Sequence, residues 1–265
     1  MSNDDVRVEL ATVAASLRAY LEWQQDTGAM GIPRRPRTEA PGSRLQAPGP
    51  EQVASPSPSP SASPSPPPPA RVPARPLSVV EAEAKTCTKC PLAETRTNVV
   101  FSRGSPAAKL VFIGEAPGAD EDATGEPFVG RAGQLLDKMI GAMGLDPKND
   151  VYICNIIKCR PPGNRRPEPI EVETCIPYLH EQLANIEPKA IVVLGNTAVA
   201  GLLGTKLGIT KVRGQWKLYR GKIPVMPTYH PSYLLRPSPQ QIEAKKQAWE
   251  DLQAVMKELG LPPKK

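Results

Sequence analysis

The sequence predicts an α/β protein: a three-layer α/β/α sandwich around a central, mainly parallel sheet, with an N-terminal helix carried on a disordered Pro-rich linker. Three observations predict it. From about residue 77 onward, short apolar runs alternate with stretches of helical periodicity, the pattern of strands joined by crossover helices. Much of the excess among 33 prolines sits in one stretch, Ser55–Ala70 and its flanks, whose composition cannot bury enough apolar surface to fold. Ahead of it, Leu10, Val13, Leu17 and Leu21 recur at helical spacing. The 265 residues therefore divide into an amphipathic helix within 1–31, a linker over 32–76 and a catalytic-sized domain over 77–265.

Taken in order, the N-terminal helix spans residues 5–25 and ends at Gly28 and Gly31. The linker's prolines stiffen it towards polyproline II, as a spacer or as a docking site for a proline-binding module. Lys109–Gly114 is a short apolar run closed by glycine, the signature of a buried parallel strand. Ala132, Leu135, Leu136, Met139, Ile140 and Met143 mark one face of a helix that Gly144 stops. Val151–Ile157 reads as a second strand, 168–186 as a helix, Ala190–Leu194 as a third strand and Thr197–Leu203 as a helix. Val212–Tyr219 and Lys222–Met226 suggest a hairpin-like return, and 239–259 a closing helix. In open sheets of this kind ligands sit beyond the carboxyl ends of the strands. Three polar loops fall there: Glu115–Arg131, Asn155–Arg166 and Thr228–Arg236.

The net charge of +6 and pI near 9.1 suit a nucleic-acid partner without requiring one. No apolar run is long enough to span a membrane, and the acidic start lacks the basic region of a secretory signal, so a cytoplasmic location is expected. In that compartment five cysteines point to metal ligation or core packing rather than disulfides. Cys87 and Cys90 form a C-x2-C knuckle in a polar segment, and Cys159 and Cys175 complete a set of four. Such a set holds either structural zinc or an iron–sulfur cluster, and spacing does not separate the two. Cys154, inside an apolar strand, is expected to pack as a small hydrophobe.

The loop Gly114–Leu136 (GEAPGADEDATGEPFVGRAGQLL) closely resembles the first motif of family 4 uracil-DNA glycosylases. Asn155–Arg165 (NIIKCRPPGNR) resembles their second, and His230–Arg236 (HPSYLLR) their third. The cysteine spacing is also similar to that family, and the resemblance covers about residues 85–258. It implies a monofunctional DNA-repair hydrolase that excises uracil from single- and double-stranded DNA, with a [4Fe–4S] cluster on Cys87, Cys90, Cys159 and Cys175. It also implies a monomer with no membrane association. Residues 5–25 are a candidate docking segment for a replication or repair protein, or a stripe that folds back on the domain.

Each motif residue has a chemical task under this resemblance. Phe128 lies flat against uracil, while the Asn155 amide donates to O4 and accepts from N3–H, a pattern that cytosine inverts. His230 donates to O2 as charge builds on the leaving base. Gly114, with Pro117 and Gly118, shapes the loop, and Glu121 crowds the uracil 5-position against thymine. Water activation falls to Glu115, to Asn155 or to electrostatics alone, because Ala116 stands where family 1 enzymes carry an aspartate. Leu234 resembles the wedge that fills the gap left by the flipped nucleotide. Lys158, Arg160, Arg165, Arg166 and Arg236 are candidate phosphate contacts. His180 reads as a helix-surface residue. Three rival readings are disfavoured. The covalent relatives of the family use a histidine that the second-motif region lacks; a non-catalytic module would not need Phe128, Asn155 and His230 together; and the first loop has neither common phosphate-cradle spacing.

Overall fold

The structure, a computed structural model, describes residues 75–262. The expected helix at 5–25, and the expected linker apart from Arg75 and Pro76, lie outside the described residues. Helices α1 (Leu77–Lys85) and α2 (Leu92–Thr95) lead into strands β1 (Arg103–Gly104) and β2 (Leu110–Gly114). Helices α3 (Ala119–Thr124) and α4 (Arg131–Ala142), strand β3 (Val151–Asn155), helix α5 (Pro169–Ile186) and strand β4 (Ala190–Leu194) follow. The chain continues through α6 (Asn196–Leu203), α7 (Ile209–Val212), β5 (Lys217–Tyr219), β6 (Ile223–Thr228), α8 (Pro231–Leu234) and α9 (Gln241–Glu258).

The six strands form one sheet in the order β1-β3-β2-β4-β6-β5. The four central strands are parallel, and the two-residue β1 and three-residue β5 close the edges antiparallel. β2, β3 and β4 are buried at every position, so their sequences are apolar without alternation, as strands covered on both faces must be. Val111, Ile113, Ile191 and Val193 pack towards Val80 of α1, Leu179 of α5 and Ala198 of α6. Leu110, Phe112, Val192 and Leu194 pack on the opposite face with Leu136 and Ile140 of α4 and Leu252 and Val255 of α9. The three-layer expectation is met.

The chain passes from β2 to β3 on one side and then crosses back to β4 on the other. The carboxyl ends of β2 and β4 thus flank the switch point, where a crevice opens for topological reasons. The differences from the expected elements are local. β3 ends at Asn155 rather than Ile157, although the amides of Ile156 and Ile157 still donate to the carbonyls of Gly114 and Glu115. The expected strand from Val212 is a helical end at Val212 and a turn, with only Lys217–Tyr219 extended. Helices α1, α2, α3 and α8 and the edge strand β1, two to nine residues long, are too short to be read from periodicity. His180 is half-buried rather than a plain surface residue: its Nδ1 lies 2.7 Å from the Tyr219 hydroxyl and the two rings stack, tying α5 to β5.

Candidate active site

The three loops converge on one cavity of about 900 Å3, at the large end of ligand sites and more than a single base requires. Glu115, Glu121, Phe128, Asn155 and His230 all line it, as do Arg165, Arg166, Tyr233 and Arg236.

Asn155 ends β3 and is 1 % exposed. Its Oδ1 is, among the described residues, the one buried side-chain polar atom with no hydrogen-bond partner. Burying an unpaired acceptor costs about 1–3 kcal/mol, so such an atom marks a place kept for a donor. Gly114, at the end of the adjacent β2, explains why the space is open. A Cβ there would stand 2.4 Å from Asn155 Oδ1 and 2.4 Å from Phe128 Cζ. Any larger residue would fill the slot that these two side chains define.

Phe128 adopts a left-handed backbone, φ 59°, which is unfavourable for an aromatic residue and has to be imposed by its surroundings. The neighbours do so from three directions. Glu121 Oε1 accepts the amides of Val129 and Gly130, both at 2.9 Å, while its Oε2 accepts the amide of Gly118 at 2.9 Å. Arg103, on β1, donates to the carbonyls of Pro127 (2.7 Å) and Phe128 (3.3 Å) and pairs with Asp137 of α4. Gly133 lets α4 pass directly beneath, since a Cβ there would sit 1.7 Å from the Phe128 carbonyl oxygen. Arg103 was not singled out in the sequence, where a two-residue edge strand leaves no signal. Glu121, read as a side chain facing the substrate, spends its carboxylate on the loop that presents Phe128.

His230 stands across from Phe128, ring centroids 5.7 Å apart and tilted by 31°. Burial, with the Arg236 cation adding to it, pushes its pKa down to about 4, so the imidazole is neutral at neutral pH. Its Nδ1 receives the Ser232 amide at 3.1 Å. A backbone N–H can only donate; Nδ1 is therefore the acceptor, and the single ring proton resides on Nε2. The half-buried Glu115 lines the same cavity, and its carboxylate makes no hydrogen bond or ion pair with the described residues.

A buried network from α9 holds the third loop. Thr228 Oγ1 donates to Asp251 Oδ2 at 2.6 Å, Arg213 grips both oxygens of Asp251, and Tyr229 donates to Gln247 at 3.0 Å.

Two of the proposed DNA contacts are corrected by burial. Lys158 is 1 % exposed; its ammonium donates to the Asn155 carbonyl (2.7 Å) and Gln182 Oε1 (2.6 Å) and cannot reach a phosphate. Leu234 is 2 % exposed and belongs to the core cluster, so it does not stand out as a wedge. The α8 turn points its side chain inward, a direction that a seven-residue motif does not specify. Arg236 and Arg166 are exposed on the cavity wall. Arg165 lines the cavity but holds the buried Glu171 with two hydrogen bonds, and Arg160, which does not line it, donates to Asn164, which does.

Behind this wall, Cys87, Cys90, Cys159 and Cys175 line a second, small cavity as free thiols. Arg96 Nη1 donates to Cys159 Sγ (3.4 Å) and the Lys158 amide to Cys175 Sγ (3.3 Å). Burial raises both thiols, Cys175 to about 11. Cys154 is wholly buried in β3, apart from this group. Among the described residues no three or more Cys, His, Asp or Glu side chains close round a single ion. Four thiols about one cavity are the donor type that a thiolate-bound metal centre uses.

Comparison with known proteins agrees with this geometry. The profile of the uracil DNA glycosylase superfamily matches residues 101–253, more than half the chain. A type-4 uracil-DNA glycosylase of Thermotoga maritima is 49 % identical over 161 residues, covering 60 % of this chain and 83 % of its own. One of Sulfurisphaera tokodaii is 46 % identical over 168 residues, 60 % and 76 % of the two chains. One of Saccharolobus solfataricus is 42 % identical over 195 residues, 71 % and 88 %. The crevice at the switch point, the order of its three loops and these likenesses place the chain in the uracil DNA glycosylase superfamily, among the type-4 uracil-DNA glycosylases.

Proposed function

We propose that the protein is a DNA-repair enzyme that hydrolyses the N-glycosidic bond of a deoxyuridine turned out of DNA, leaving an abasic site. The observation that carries this is the buried, unpartnered Oδ1 of Asn155, facing the same slot as Phe128 and a neutral His230. Uracil offers N3–H to such an acceptor and O4 to the amide's N–H; cytosine offers a lone pair and an amino group in those places and is refused. Stacking on Phe128 requires the base to leave the duplex.

As the C1′–N1 bond breaks, its electron pair departs with the base and negative charge gathers on O2. His230 Nε2–H donates to that oxygen without being an acid strong enough to lose its proton. Water adds to C1′ on the sugar's open face, and the Glu115 carboxylate, without a hydrogen bond to the described residues, accepts its proton. Arg166 and Arg236 contact backbone phosphates without regard to sequence.

Cys87, Cys90, Cys159 and Cys175 would hold a [4Fe–4S] cluster, which supplies a covalent tie between the N-terminal edge of the domain and the second-motif segment. The residues fit that group: four thiols about one cavity, two of them already accepting N–H bonds. No helix among the described residues is long and apolar enough to cross a membrane. The remainder of the reading is a cytoplasmic monomer whose 77–265 domain acts on DNA, while residues 5–25, on the 32–76 linker, engage a replication or repair protein.

The test is to incubate the full chain with single- and double-stranded oligonucleotides carrying one uracil, then cleave abasic sites with alkali. Strand scission at the uracil supports the reading. Its absence, where a control glycosylase acts, overturns it.

A further inference from the structure

With Leu234 in the core, the third loop still needs a group to hold the duplex open. Of the described large apolar side chains that are exposed, Tyr233 alone also lines the main cavity. It is 40 % exposed and sits one turn after His230, whose carbonyl accepts its amide at 2.9 Å. We propose, building on the uracil-DNA reading above, that Tyr233 is the side chain that enters the base stack and occupies the gap left by the extruded nucleotide.

Rigidity argues for this as much as exposure does. The Tyr233 ring rests against that of Tyr229, centroids 5.1 Å apart and tilted by 34°. Tyr229 is buried, donates its hydroxyl to Gln247 at 3.0 Å, and carries the Arg213 guanidinium 5.7 Å from its ring. Arg213 is in turn fixed by the buried Asp251. An aromatic group held by a chain of packed and hydrogen-bonded neighbours loses little freedom when it meets a base, and its flat face stacks on any base pair. Arg236, three residues on and exposed, is placed to neutralise a phosphate beside the opening. Leu234 has no comparable access: to insert, it would have to leave the core.

The role is specific to duplex substrate, because a single strand has no closed stack to hold open. Single-turnover excision by wild type, Tyr233→Ala, Tyr233→Phe, Tyr233→Trp and Leu234→Ala is to be compared on single-stranded and U·A duplex oligonucleotides. A 2-aminopurine beside the uracil reports unstacking in the same samples. Tyr233→Ala is expected to lower the duplex-to-single-strand rate ratio by roughly ten-fold or more, the scale of one aromatic–base stack. It should also suppress the 2-aminopurine rise, while Phe and Trp preserve both signals. Leu234→Ala is expected to lower the melting temperature and leave the ratio unchanged. An unchanged ratio and fluorescence rise in Tyr233→Ala, or a duplex-selective loss in Leu234→Ala, would overturn the proposal while leaving uracil excision intact. A wild-type chain inactive on both substrates would instead overturn the uracil reading and this proposal with it.

Discussion

The base slot and the cysteine corner are built from the two ends of one five-residue segment, and they are finished in opposite ways. Asn155 turns its amide into the slot, where an acceptor is left bare and a neutral imidazole waits opposite. Cys159, four residues later, turns into a corner where N–H donors already reach the sulfurs of Cys159 and Cys175 and burial pushes both thiols up. Lys158 joins them, its ammonium on the Asn155 carbonyl and its amide on Cys175. The slot is thus preorganised for a neutral ligand that brings its own donor. The corner gathers four thiols about one small cavity, as the proposed cluster would need.

The largest expected effect lies in the slot. Asn155→Ala should lower kcat/KM on uracil by about 10²–10³-fold, the scale of one lost donor to a developing charge, with little change in melting temperature. Asn155→Asp should narrow the preference for uracil over cytosine in the same assay. In the corner the expectation reverses. Cys159→Ser should reduce visible-range absorbance and lower the melting temperature by at least about 4 °C, because the tie is structural. A larger change in kcat than in stability would break the contrast between the two regions.

Arg103→Met comes next. It removes the donors that hold the Pro127 and Phe128 carbonyls, so Phe128 can relax from its left-handed backbone. A rise in KM of about ten-fold, or about 1.4 kcal/mol, is expected, exceeding the loss in kcat and partly recovered by Arg103→Lys.

The smallest effect is on pH dependence. The His230 pKa near 4 lies below the unfolded value of about 6.5, so the unfolded chain binds the extra proton between those limits. Its contribution is fully present above about pH 6.5 and lost as pH falls towards 4. The difference in stability between wild type and His230→Gln should therefore shrink over that window, by on the order of 1 kcal/mol given partial solvent screening. Urea titrations at pH 7 and pH 4.5 would measure it.

Much of this was legible in one dimension. Lys109–Gly114, Val151–Asn155 and Ala190–Leu194 announce strands buried on both faces, because only such strands are apolar at consecutive positions. Phe128, Asn155 and His230 stood out because the motifs that carry the family resemblance include them and because they fall in polar, Gly- and Pro-rich loops at strand ends. Arg103, Lys158, Leu234 and Tyr233 were not legible, or were read the wrong way round. For a basic residue or a lone leucine, the neighbours across the sheet decide whether it is a phosphate contact or a buried strut.

The sequence by itself determined the layers of the sandwich and the edge at which the loops gather, since periodicity and residue type are local properties; the roles of the slot residues rested on the family resemblance. Only the tertiary structure decided that Tyr233 rather than Leu234 is exposed on the cavity wall, that Lys158 is a buried link between slot and corner, and that a strained Phe128 is held by Arg103 and Glu121. Direction and burial depend on atoms brought from distant parts of the chain, and no window of sequence contains them.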